Sequence, residues 1–125
     1  MNDNYETLPA PTGTFQKWEA VGDVVQGRIG SFGLDTGSDF DGNPCPELVV
    51  ETEAGNVIIT AGTANLKKQF TANAARLIAG HGVRVEFSGT YPTKQGTPGK
   101  SFTVGVTPKP IAPITVELAD DEAPF

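Results

Sequence analysis

Residues 57–88 read VIITAGTANLKKQFTANAARLIAGHGVRVEFS, and the hydrophobic period changes twice within them. Val57 to Thr60 is a short β-rich run. From Thr63 onward, Leu66, Phe70, Ala74 and Leu77 recur at helical spacing, with Thr63 placed to N-cap the helix and Gly80 placed to end it. Then Val83, Val85 and Phe87 alternate with Arg84, Glu86 and Ser88, the pattern of a half-buried strand. A lone helix therefore lies between two strands.

On the N-terminal side, Ala54-Gly55-Asn56 makes a tight turn that joins Val57–Thr60 to a strand over Pro46–Glu53. Further upstream, Asp23–Leu34 is rich in Val and Ile but broken by Gly27, Gly30 and Gly33, which predicts a strongly curved or bulged strand. On the C-terminal side, Phe102, Val104 and Val106 alternate with Thr103, Gly105 and Thr107 in a last strand. The order is three strands, one helix, two strands. It predicts an all-β domain with one helix, folded as a five-stranded OB barrel. An SH3-like barrel or a small β-sandwich can also be drawn, but neither places its only helix there.

The length of 125 residues fits one domain. Residues 1–13, with Pro9, Pro11 and Gly13, read as a flexible N-terminal arm, and residues 14–109 as the folded domain. Residues 110–125 read as a proline-containing linker and acidic tail. The linker sets in near Pro108, where Pro108, Pro110 and Pro113 exclude helix and central strand. Ile114 to Leu118 forms either a brief strand or an extended segment. No stretch approaches the length of a membrane span, and Met1 to Pro11 lacks the regions of a signal peptide. Cys45 is the single cysteine, so no internal disulfide is available and a reducing cytoplasm fits best.

The net charge of −6 is unevenly distributed. Residues 14–109 hold all nine Lys and Arg against nine Asp and Glu, a balance of zero. Asp3, Glu6, Glu117, Asp120, Asp121 and Glu122 supply the whole deficit. A neutral body can still carry a local basic groove while its tail sets the isoelectric point.

In an OB barrel the ligand face is framed by the loop joining the first two strands and the loop joining the last two. Here these are Asp35–Pro46 and Pro92–Gly99, both long. Binding of single strands needs cations along the phosphates and aromatic faces for the bases. The candidate cations are Arg28, Arg84, Lys94 and Lys100, with Lys17 nearby; each is equally readable as an ordinary solvated charge. The candidate stacking residues are Trp18, Phe32, Phe40 and Tyr91. Phe32 falls on the solvent-side register with Arg28, and Trp18 reads equally well as a plug for the barrel end. Phe70, Phe87 and Phe102 sit on predicted core faces.

Catalytic patterns are weak, and the chain reads as a non-enzyme without cofactor or metal. His81 sits in a Gly-His-Gly turn with no nucleophile nearby. Asp35, Asp39 and Asp41 lack the spacing and closing Glu of a calcium loop and read as turn formers.

The chain ends Asp120-Asp121-Glu122-Ala123-Pro124-Phe125. A partner can hold such a tip by taking the phenyl ring in an apolar pocket and the carboxylates on Arg or Lys. This ending resembles the acidic Pro-Phe tip of bacterial single-stranded DNA-binding proteins, although Glu122 and Ala123 stand where that family usually has Asp and Ile. With the OB-like body, the chain is similar to compact phage-encoded members. The resemblance implies sequence-independent coating of single-stranded DNA in replication, recombination or repair in a bacterial host's cytoplasm. Asp120, Asp121, Glu122, Pro124 and Phe125 would recruit partner proteins, and the tail would compete with DNA for the basic groove. The alternative is an adaptor built on the same barrel, with the tail as docking peptide and no nucleic acid. A cold-shock-like RNA role is weaker, because paired aromatic motifs are missing. The sequence leaves monomer and homo-oligomer both open.

Overall fold

The computed structural model describes residues 13–114. The chain runs β1 (Thr14–Phe15), β2 (Val24–Ser38), β3 (Pro44–Thr52), β4 (Gly55–Thr60), α1 (Ala64–Ala72), β5 (His81–Tyr91) and β6 (Gly99–Pro110), with a 3₁₀ turn at Ala74–Arg76. The fold is mostly β with one α-helix, as the periodicity indicates. The strands form a six-stranded sheet in the order β1-β4-β3-β2-β5-β6, antiparallel except for the parallel β1–β4 pair. Its hydrogen-bonded ladder is open, with β1 and β6 as edges. The expected strand count of five was one short, and the sheet is not closed into the expected barrel. β1 pairs Thr14 and Phe15 with Val57 and Ile58, and the Gln16 N–H extends the contact by donating to the Ile58 carbonyl at 2.8 Å.

The long strand β2 organises the sheet. Its first part, Val24–Arg28, pairs with β5, and its remainder, from Arg28 onward, pairs with β3. Arg28 belongs to both ladders, opposite Glu51 on one side and Gly82 on the other. The β2–β3 register slips between Ile29 and Ser31, a bulge at Gly30. A bulge inserts one residue and reverses which face the following side chains take. Phe32 is therefore not on the solvent-side register with Arg28. It turns toward the core, edge-on to Phe70 with ring centroids 5.8 Å apart.

The β2–β3 ladder skips again between Gly33 and Gly37 but resumes at Gly37–Cys45 and Ser38–Pro44. The expected loop Asp35–Pro46 is thereby cut to the turn Asp39–Asn43. At the other end, β6 runs on through Pro108 and Pro110. Proline is tolerated there because β6 is an edge strand whose outer N–H groups need no partner. The chain beyond stays tied to the body: the Ile111 N–H donates to the Gly80 carbonyl at 2.8 Å, and Arg28 Nε donates to the Ile111 carbonyl at 3.2 Å.

The core is a single cluster that includes Ile29, Leu48, Val50, Ile59, Leu66, Phe70, Val85 and Phe87. Leu66 and Phe70 are the buried residues of α1, which packs on β6 and β3. Burying a side chain such as Phe70 contributes about 1.5–3 kcal/mol. The helix is shorter than its hydrophobic spacing indicates. Asn73 ends it by placing both its backbone N–H and its Nδ2 on the Gln69 carbonyl, at 3.0 and 2.9 Å. Leu77 still reaches the core from beyond the 3₁₀ turn. Thr63 stands at the N-cap position, but its hydroxyl makes no capping bond and is buried without a partner. No helix among the described residues is long and apolar enough to cross a membrane.

Candidate nucleic-acid interface

Three separated segments converge on one cleft of about 500 Å³. The first is Phe15–Glu19, running on from the end of β1; the second is Ser38–Phe40, at the start of the β2–β3 turn; the third is Lys100, near the start of β6. Thr60, Gly62 and Thr63, where β4 passes into α1, complete the lining. The β2–β3 turn and the strand that leaves the β5–β6 turn thus border one cleft.

Phe40 is held out on a rigid tip. Asp39 Oδ1 accepts from the N–H groups of Asp41 and Asn43 at 2.9 and 2.8 Å, while the Asp39 N–H donates to the Asn43 carbonyl at 2.9 Å. Gly42, at φ +80°, supplies the left-handed position that closes this turn. The phenyl ring itself is fully exposed. Trp18 is anchored instead. It sits edge-on to Phe102, centroids 5.1 Å apart, and is packed partly against the core, so it both plugs that end of the sheet and borders the cleft. Lys100 Nζ lies 6.0 Å from the centre of the Phe87 ring, the outer limit of a cation–π contact.

The remaining sequence candidates lie elsewhere. Arg28 pairs with Glu51 at 3.1 Å and ties β2 to β3 and Ile111, a structural task. Arg84 pairs with Glu86 at 2.8 Å and borders a second groove of about 730 Å³, which shares no lining residue with the cleft. Tyr91 lies across Gly99 on the neighbouring strand, where an added Cβ would come within 2.3 Å of the ring. Lys94 is exposed on the β5–β6 turn, braced by Thr93 Oγ1 donating to the Thr97 carbonyl at 2.5 Å. Phe32 is packed on Phe70. The tail residues Asp120, Asp121, Glu122, Pro124 and Phe125 lie outside the described residues.

One cleft residue, Phe15, escaped the candidates read from the sequence, where Lys17 was named as a nearby cation. Phe15 is 61% exposed, and Lys17 is exposed beside it. The local cluster Phe15-Gln16-Lys17-Trp18, two aromatics around a cation, is the signal that would have found it. Glu19 and Asp39 offset the two lysines, leaving the lining balanced in formal charge; the Asp39 carboxylate, however, is taken up by turn amides.

Other reactive groups are in structural settings. Burial pushes the Cys45 thiol up, Asp39 and Glu47 push it further, and Lys67 opposes them. His81 opens β5 rather than lying in a turn, with Nδ1 2.9 Å from the Thr107 carbonyl. Among the described residues, no three or more His, Cys, Asp or Glu side chains gather where they could hold a metal ion.

The features define a β-rich domain with one helix and an aromatic, lysine-bearing cleft. Compared with protein-family models, curated proteins and solved structures, the chain matches none.

Proposed function

We propose that this chain binds single-stranded DNA without sequence preference, on an OB-type body, and serves replication, recombination or repair, in a phage or its bacterial host. The observation that carries the reading is the convergence of Trp18, Phe40 and Lys100, from three distant segments, on one cleft. Phosphate-seeking cations next to exposed aromatic faces are what sequence-tolerant single-strand binding uses. The OB reading is supported by a bulged first long strand shared between two partners and by the helix between β4 and β5. The acidic Pro-Phe ending supports a role for the tail in recruiting partner proteins and in competing with DNA.

The test is fluorescence anisotropy of a labelled dT oligomer in low and moderate salt, titrated with the full chain and with a truncation ending at Val116. Micromolar or tighter binding that weakens with salt and strengthens on truncation supports the reading. Weaker binding after truncation removes the self-competing tail from it. Absence of binding by either protein overturns it.

The adaptor reading, with the tail as docking peptide and no nucleic acid, draws on two observations: Arg28 and Arg84 are spent on carboxylates, and the cleft lining is balanced in formal charge. Salt-insensitive binding of a peptide, with no binding of dT, would decide for it.

A further inference from the structure

Phe15 and Phe40 are the two strongly exposed phenylalanines of the described chain, and both open on the same cleft. Exposed phenyl rings are costly to solubility and are usually scattered; two bordering one cavity call for a ligand with flat apolar faces. Each is fixed by backbone geometry. Phe40 rides the Asp39–Asn43 turn. Phe15 rides the parallel pairing with β4, where Gly13 allows the approach: a Cβ there would meet the Ile58 side chain at 3.1 Å and the Asn56 carbonyl at 3.3 Å. A lysine accompanies each wall, Lys17 on the first and Lys100 across from the N-terminal segment on β6.

From this arrangement we infer that the N-terminal segment Gly13–Glu19 is a working wall of the ligand site. Phe15 supplies a second stacking face for an unpaired nucleobase, and Lys17 supplies a contact to the adjoining phosphate. The inference rests on the single-strand reading above and adds the unit recognised: a base with free faces plus its phosphate. Bases in a duplex are stacked on both sides and cannot offer their faces to Phe15 and Phe40. The cleft therefore discriminates by base availability, not by phosphate charge alone.

The experiment compares three labelled probes of equal length: dT, the same backbone with abasic sites, and a duplex. Each is titrated with the full chain, with Phe15→Leu, with Lys17→Gln, and with Ile78→Ala as an exposed apolar control outside the cleft. Phe15→Leu should weaken dT binding about 5- to 150-fold, the range for one stacked base, and leave the weaker abasic binding unchanged. Lys17→Gln should weaken dT and abasic binding alike and lower the salt slope by about 0.7. Ile78→Ala should match the unaltered chain. Amide exchange at Gln16 in the free proteins checks that β1 is still paired with β4 in both variants. If the unaltered chain binds dT but neither Phe15→Leu nor Lys17→Gln changes it, the N-terminal wall is overturned while single-strand binding stands. If the unaltered chain binds no dT, both fall. Equal binding of dT and the abasic strand overturns base stacking and reduces the site to a phosphate contact.

Discussion

Gln69 of α1 grips the backbone of Phe102 on β6: its Nε2 donates to the Phe102 carbonyl at 2.7 Å, while Asn65 Oδ1 accepts from the Phe102 N–H at 2.9 Å. Gln69 Nε2 also reaches Asn65 Oδ1 at 2.8 Å, so the two amides act as one unit. An edge strand leaves alternate N–H and C=O groups without a strand partner; here the helix takes the place of a neighbouring strand at that point. Gln69→Ala or Asn65→Ala should each cost about 1–3 kcal/mol, because a half-buried backbone group loses its partner. The double variant should cost less than the sum, by about 0.5 kcal/mol or more. Urea unfolding of the four proteins measures this, and strict additivity would show that the two amides do not act as a unit.

Gly27 of β2 lies hard against the backbone of β3 at Glu51. A Cβ built on it would lie 2.0 Å from the Glu51 carbonyl oxygen, backbone that cannot swing aside. Gly105 on β6 has nothing within 4 Å of the same position. Gly27→Ala should therefore destabilise by about 3 kcal/mol, the upper end for overpacking, and Gly105→Ala should be neutral or stabilise by about 0.5–1 kcal/mol. Thermal unfolding separates the two; equal effects would mean that β2 relaxes freely away from β3.

The contrast between these glycines shows what the sequence could convey. The facing pair β5 and β6 was legible because Val83, Val85 and Phe87 alternate on one strand and Phe102, Val104 and Val106 on the other. The helix was legible from Leu66 and Phe70. Phe32 was misplaced because the Gly30 bulge shifts the alternation by one residue, and a glycine in a strand says that something happens there but not which way the phase moves. Phe15 was missed because a two-residue parallel pairing is too short to have a period. The Arg28–Glu51 pairing depends on strand register, which single-residue patterns do not carry. Phe40 and Lys100, by contrast, do border one cleft, and loop position alone had singled them out.

Arg28 and Lys100 should separate in their effects. Arg28 holds Glu51 and the Ile111 carbonyl at about one-quarter exposure, so Arg28→Met should cost about 1–2 kcal/mol of stability and leave the dT salt slope unchanged. Lys100→Gln should leave the unfolding midpoint unchanged and reduce the salt slope by about 0.7, the contribution of one phosphate contact on a single strand. Unfolding curves paired with anisotropy at several salt concentrations test both. A salt slope lowered by Arg28→Met would place Arg28 on the DNA path after all.

Acid should loosen the segment that leads from the cleft into β2. Asp23 Oδ2 accepts from the N–H groups of Ala20 and Glu19 at 3.0 and 2.9 Å, and these bonds, Ala20's foremost, hold its carboxyl below the ordinary value of 3.8. A carboxyl lowered in the folded state stabilises fully above its unfolded value, and that contribution disappears as the pH falls through the lower folded value. The stability should thus drop from 3.8 downward, with Trp18 emission reporting the change because the Glu19–Asp23 turn follows it directly. Asp23→Asn, which has no proton to gain there, should show a flatter pH dependence over the same window. Unfolding midpoints of both proteins, measured across that acid range, decide the matter; parallel profiles would show that the Asp23 turn contributes nothing to acid stability.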